Sequence, residues 1–204
     1  MSDLIFLVLT TLVIVVFSTV LHELMHGAVA LWQGDHTARL SGRLSLNPLK
    51  HIDPIMSVAV PLVLAVLGGP IFGGAKPVPV NTRNLKHGEW SMALVAVAGP
   101  LTNLLLAFIF FVIWHMTDWQ FCAQGVMINL GFATFNILPI PPLDGSRVLY
   151  ALAPDAVRNW MARVERYGTT FVFILVMICG SLLSNYMYTV ENAILGVFEA
   201  IVGA

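Results

Sequence analysis

Two histidines four residues apart, His22 and His26, bracket a glutamate in the segment His22-Glu23-Leu24-Met25-His26. On a helix, positions i and i+4 lie on one face, one turn apart. Two imidazoles so placed can share one Zn²⁺ at Zn–N distances of about 2.0–2.1 Å. Glu23 then stands beside the metal without being a ligand to it, where a carboxylate can take a proton from water. The chemistry on offer is hydrolytic. A catalytic zinc takes three protein ligands and keeps one position open. The pair is therefore incomplete, and a third Asp, Glu, His or Cys has to come from elsewhere in the chain.

The surrounding composition says what must position these residues. Of 204 residues, 58% are hydrophobic and 10% charged, with a mean hydropathy of +0.85. Soluble domains carry about 25% charged residues. The composition excludes a soluble globule and predicts an all-α polytopic membrane protein embedded in the lipid bilayer. A net charge of -1 gives no reason to expect nucleic acid as a partner. The two cysteines, Cys122 and Cys179, lie in apolar stretches without metal-type spacing and read as small buried hydrophobes. The start, Met1-Ser2-Asp3, lacks a basic region, so a cleaved signal peptide is not expected.

Ionisable residues divide the chain into uncharged runs of 18 residues (4–21), 22 (54–75), 25 (90–114), 25 (119–143) and 24 (167–190). A span needs about 20 apolar residues. Residues 1–204 are read as a single membrane-embedded domain with four to six transmembrane helices, spans falling at about 4–32, 91–115, 120–139 and 167–190. The 54–75 run is interrupted by Pro61 and Gly68-Gly69-Pro70. It is expected to be a re-entrant or short-strand segment, with an extra span as the alternative. The tail, 192–204, suits an interfacial helix. All ten Lys and Arg fall in three segments: Arg39, Arg43 and Lys50; Lys76, Arg83 and Lys86; and Arg147, Arg158, Arg163 and Arg166. If all three are cytoplasmic, the N-terminus is outside and the His22–His26 motif occupies the cytoplasmic half of the first span. Ionisable groups inside a span cost about 2.5–3.5 kcal/mol each on insertion scales. A cluster of three calls for a compensating partner, and a metal is the natural one.

Asp144 is the leading candidate for the third ligand. It closes the fourth run in Asn136-Ile137-Leu138-Pro139-Ile140-Pro141-Pro142-Leu143-Asp144-Gly145. That run returns to the level of the two histidines, and its prolines break the helix there. The competing reading is a boundary carboxylate capping a helix that starts near Ser146. The lone histidines His36, His87 and His115 read as solvent-exposed, and His51 as bonded within a turn.

Taken together, the early His-Glu-x-x-His and the later Asn-x-x-Pro-x-x-Pro-Leu-Asp-Gly resemble the site-2 protease family of intramembrane zinc metalloproteases. Ala98-Gly99-Pro100-Leu101-Thr102-Asn103 is similar to that family's Gly-Pro-x-x-Asn element. Residues 47–54 and 72–81 are similar to stretches of its compact bacterial and archaeal members. The resemblance runs from about residue 20 to 150. It implies one Zn²⁺ per chain on His22, His26 and Asp144, with Glu23 as catalytic base and Asn136 helping to hold substrate. It further implies a multi-pass protein of a prokaryotic cell membrane, its site toward the cytoplasm. The expected substrates are single-span membrane proteins cut within or near their transmembrane segments, after partial unwinding. Residues 70–80, with Val78 and Val80 between prolines, are a candidate edge for pairing with the unwound segment. The chain departs from relatives that carry a PDZ or nucleotide-binding domain, for which 204 residues leave no room, and in Met56, where the family pattern has Gly. Two other classes are kept open. A membrane metal transporter or sensor would need ligands on the outer halves of the spans, and none is seen. An inactive helix-binding scaffold would have lost a ligand or the base, yet all four residues are present.

Overall fold

The computed structural model describes residues 2–53 and 75–203. Among them are seven α-helices and no strand: α1 (Ser2–Trp32), α2 (Thr37–Leu40), α3 (Glu89–Thr117), α4 (Gln120–Asn136), α5 (Gly145–Leu152), α6 (Asp155–Glu165) and α7 (Gly168–Val202). The chain is an all-α membrane protein. In hydrocarbon every backbone N–H and C=O needs an internal partner, and a helix supplies one for each. Among the described residues three helices are long and apolar enough to cross a bilayer: α1 from Ile5, α3, and α7 from Thr170. The 17-residue α4 rises about 26 Å, slightly less than a hydrocarbon core of about 30 Å. The expectation of a re-entrant segment or extra span at 54–75 falls, but for Ala75, outside the described residues.

Helix ends follow local chemistry. α1 stops at Gly34, whose φ of 104° suits glycine. Gly34 N donates to the Leu31 carbonyl and Asp35 N to the Ala30 carbonyl, the paired bonds of a Schellman end. α3 and α4 are joined by a two-residue turn with Asp118 in the left-handed region. α7 runs on to Val202 with one non-helical residue, Cys179. Residues 192–202, expected as a separate interfacial helix, continue α7 instead. Glu191 does not end the helix, because its carboxylate accepts a hydrogen bond from Thr134 Oγ1 on α4.

Packing follows the rules for membrane helices. Lipid is as apolar as leucine, so close contact rather than hydrophobicity drives association. The buried face of α3 is accordingly small: Ser91, Ala93, Ala96, Ala98, Gly99 and Ala107 lie on it. Larger side chains close the two ends. Phe111, Val126, Leu130 and Phe198 pack together where α3, α4 and α7 meet, and Ala30, Leu85 and Val95 pack at the opposite end of α1. Much of α7 is uncovered, with Ile178 76% and Leu182 73% exposed.

Two polar clasps hold the loops against α1. Asp35, fully buried, accepts hydrogen bonds from Thr37 N, Thr37 Oγ1, Asn81 N and Asn84 Nδ2. The Arg43 guanidinium donates to the carbonyls of Lys50, Lys76 and Pro77, while Lys76 N donates to the His51 carbonyl at 2.9 Å. The flanks of 54–74 thus lie side by side. This brings residues 75–80, which form no regular element, alongside α1 at Glu23.

Candidate metal centre

The site forms where α1, α3 and the start of α5 converge. His22 and His26 project from one face of α1, and their Nε2 atoms are 3.0 Å apart. Asp144 Oδ2 lies 3.2 Å from the first and 3.4 Å from the second. Both histidines are buried and Asp144 half-buried. Asp144 stands at the N-cap position of α5 but makes no capping hydrogen bond. Its carboxylate turns to the imidazoles and not to the first turn of α5.

The other ring nitrogens are engaged. His26 Nδ1 is 2.7 Å from the Val95 carbonyl, and His22 Nδ1 is 2.5 Å from Asn103 Oδ1. A carbonyl can only accept, so each Nδ1 carries a proton, and a neutral ring then has its Nε2 lone pair turned inward. Asp144 Oδ2 is buried and has no hydrogen-bond partner. Two imidazole nitrogens and a carboxylate oxygen within 3.4 Å of one another need a shared proton or a metal cation between them. Tetrahedral zinc with bonds of about 2.0–2.1 Å needs ligand–ligand separations of about 3.3–3.4 Å. The observed triangle fits that requirement with little adjustment.

Two glycines make the approach possible. A Cβ on Gly99 would lie 2.5 Å from both Nε2 atoms, so α3 can pass behind the site only without a side chain there. A Cβ on Gly145 would lie 1.9 Å from the Ile137 carbonyl oxygen. The residue after Asp144 has to be glycine for α5 to start against the proline-rich turn.

A cleft of about 370 Å³ opens on the site, lined by all three ligand candidates and by Glu23, Pro77, Val78, Val80, Asn136 and Arg147. Glu23 Oε2 accepts from Val78 N at 2.8 Å. Asn136 lines the cleft and donates its Nδ2 to the Phe132 carbonyl. Arg147 is paired with Glu165 on α6. His22, Glu23, His26, Asp144 and Asn136 are therefore all brought to one cavity. His51 is not; its Nε2 bonds to the Ser45 carbonyl within its own loop. Sequence reasoning gave no role at the site to Asn103, Asn129, Gly99, Arg147 or the two backbone partners, Val95 O and Val78 N, although Gly99 and Asn103 stand in the Gly-Pro-x-x-Asn element and Arg147 among the basic residues. An amide inside an apolar run was the available signal for the first two, since it needs a partner as a charge does.

Comparisons with known proteins identify the family. The model of "Peptidase family M50" matches residues 114–179. YwhC of Bacillus subtilis, which bears the name "Putative zinc metalloprotease", is 39% identical over 214 residues, covering 96% of this chain and 92% of YwhC. The chain belongs to peptidase family M50, the site-2 protease family. This M50 chain is also 30% identical to Rip2 of Mycolicibacterium smegmatis, over 78% of its length and 63% of Rip2. Rip2 of Mycobacterium tuberculosis strain H37Rv is 30% identical over 85% of this chain and 68% of its own. Both Rip2 proteins bear the same zinc metalloprotease name as YwhC. No solved structure matches. Family and similarity make the M50 chain a membrane metalloprotease that uses zinc.

Proposed function

We propose that the protein hydrolyses peptide bonds within or near the transmembrane segments of single-span membrane proteins, in a prokaryotic cell membrane, using one Zn²⁺ held by His22, His26 and Asp144. The observation that carries this reading is the convergence of His22 Nε2, His26 Nε2 and Asp144 Oδ2 beside Glu23, with both histidines on a helix long and apolar enough to cross a bilayer. Bound zinc supplies Lewis acidity to the scissile carbonyl and acidifies water at the site. The remaining steps belong to the chain. Glu23 takes a proton from water and delivers it to the leaving amine. Its bond from Val78 N holds the carboxylate at the cleft wall. Asn136 faces the cleft and supplies an amide for the substrate backbone, which must partly unwind to expose a carbonyl. The basic segments around Lys50, Lys76 and Arg147 support a cleft that opens toward the cytoplasm.

Glu23→Gln tests the reading. The variant should bind zinc as the parent does and cleave a single-span substrate, in membranes, about 10²–10⁴-fold more slowly. Undiminished cleavage would sink the assignment. A transporter or sensor would instead keep its function in this variant.

A further inference from the structure

We infer that Asn103 and Asn129 are positioning residues, a one-way chain of side-chain amides that fixes His22 with its proton on Nδ1 and Nε2 bare. The inference rests on the reading of His22 as a zinc ligand.

The two histidines reach the same protonation by different means. His26 Nδ1 faces the Val95 carbonyl. Pro100, on the next turn of α3, has no N–H and cannot satisfy the carbonyl of Ala96, so helical bonding is already interrupted there. A backbone carbonyl accepts and never donates, so His26 has no choice of tautomer.

His22 faces a side-chain amide, which is ambiguous by itself. Turned over, Asn103 would present Nδ2 in place of Oδ1. It would then donate to His22 Nδ1 and drive the ring proton to Nε2, the atom that must be bare. What prevents this is the next contact. Asn103 Nδ2 donates to Asn129 Oδ1 at 3.0 Å, and Asn129 Nδ2 donates to the Gly125 carbonyl at 2.9 Å, one turn back on α4. Gly125 O can only accept. Asn129 must therefore offer it Nδ2 and turn Oδ1 toward Asn103. Asn103 must answer with Nδ2 and turn Oδ1 toward His22, and His22 must donate. Reversing any member sets two acceptors or two donors against each other. Both asparagines are fully buried, at 0% exposure, where an unpaired amide has no water to turn to. A direction set on α4 is thus transmitted through α3 to a ring on α1. Helix association alone would need only the Asn103–Asn129 bond, and would not need His22 at its end.

The test uses the full chain in nanodiscs, with ¹⁵N-labelled histidine. There are six histidines, few enough to assign. In metal-free protein, His22 is expected as the Nδ1–H tautomer. Asn129→Leu, of similar volume, removes the lock; His22 should then populate the Nε2–H form, and zinc affinity by chelator competition should fall about 10–100-fold. Asn129→Asp, protonated in this apolar site, keeps one acceptor and one donor and should restore both readouts. An Nε2–H tautomer in the parent protein would overturn the proposal without need of any variant. So would parental tautomer and affinity in Asn129→Leu, or weakened zinc binding with the tautomer unchanged, which is loss of packing only. Failure of the parent protein to bind Zn²⁺ at all would instead overturn the zinc reading, leaving the tautomer measurement to judge the relay.

Discussion

Asp35 and Asp144 are both carboxylates withdrawn from water, and they are treated in opposite ways. Asp35, just past the end of α1, accepts four hydrogen bonds from Thr37, Asn81 and Asn84. Burial opposes its charged form, but those four bonds outweigh burial and hold its carboxyl below the usual aspartate value. Asp144 offers a buried Oδ2 that accepts nothing and faces two imidazole nitrogens at 3.2 and 3.4 Å. A carboxylate whose acceptors are all satisfied by its own chain is a structural pin. One left without donors of its own, facing two imidazole nitrogens, is a place for a cation. The difference lies in the donors around each residue and cannot be read from residue type or burial.

Substitution of each residue by its amide should separate the two roles. Asp144→Asn should have the largest effect. Under the proposed function it replaces an anionic ligand and should weaken zinc binding by more than the roughly 10–100-fold typical of outer-shell changes, with cleavage lost alongside. The melting temperature of the metal-free protein should fall less than in Asp35→Asn, because Asp144 Oδ2 accepts no hydrogen bond. A fall as large as that from Asp35→Asn would erase the distinction between pin and cation site.

Asp35→Asn comes next. One oxygen becomes an NH₂ that meets N–H or O–H donors head on. The expected loss is about 1–3 kcal/mol of stability, read by thermal unfolding, with zinc affinity unchanged. The smallest effect is in acid. Asp35 has a folded pKa below its unfolded one, which is near 3.9 for an aspartate. Its contribution is therefore complete above that unfolded value and is lost as pH falls through the folded one. The gap in stability between the parent and Asp35→Asn should close below about pH 4. A gap that stays constant from about pH 7 to about pH 3 would mean that the four bonds do not depend on charge.

What was legible in the sequence followed from features that one dimension preserves. An all-α membrane chain shows in its long uncharged runs, because a bilayer demands length and apolarity of each helix. The i, i+4 spacing of His22 and His26 needs only a helix to become a shared face. Charge was a poorer guide to where helices end. Glu191 closes an uncharged run, yet α7 continues past it to Val202 because Thr134 takes up its carboxylate. The support of the site was largely hidden, for two reasons. Val95 O and Val78 N are backbone atoms, which carry no residue-type signal. Asn103 and Asn129 are uncharged, so a division of the chain by charge passes over them. Gly99 was visible as a letter, but its reason, two ring nitrogens 2.5 Å from where a Cβ would sit, exists only after α1 and α3 have packed.

The clip at Arg43 has a consequence for inheritance. With the Lys76 and Pro77 carbonyls gripped by one guanidinium, and Lys76 N tied to the His51 carbonyl, Val78 is presented to Glu23 from a fixed backbone. In evolutionary terms Arg43 is a hidden stakeholder in the cleft: it is not among the cleft's lining residues, yet selection for a fixed Val78–Glu23 contact acts through it.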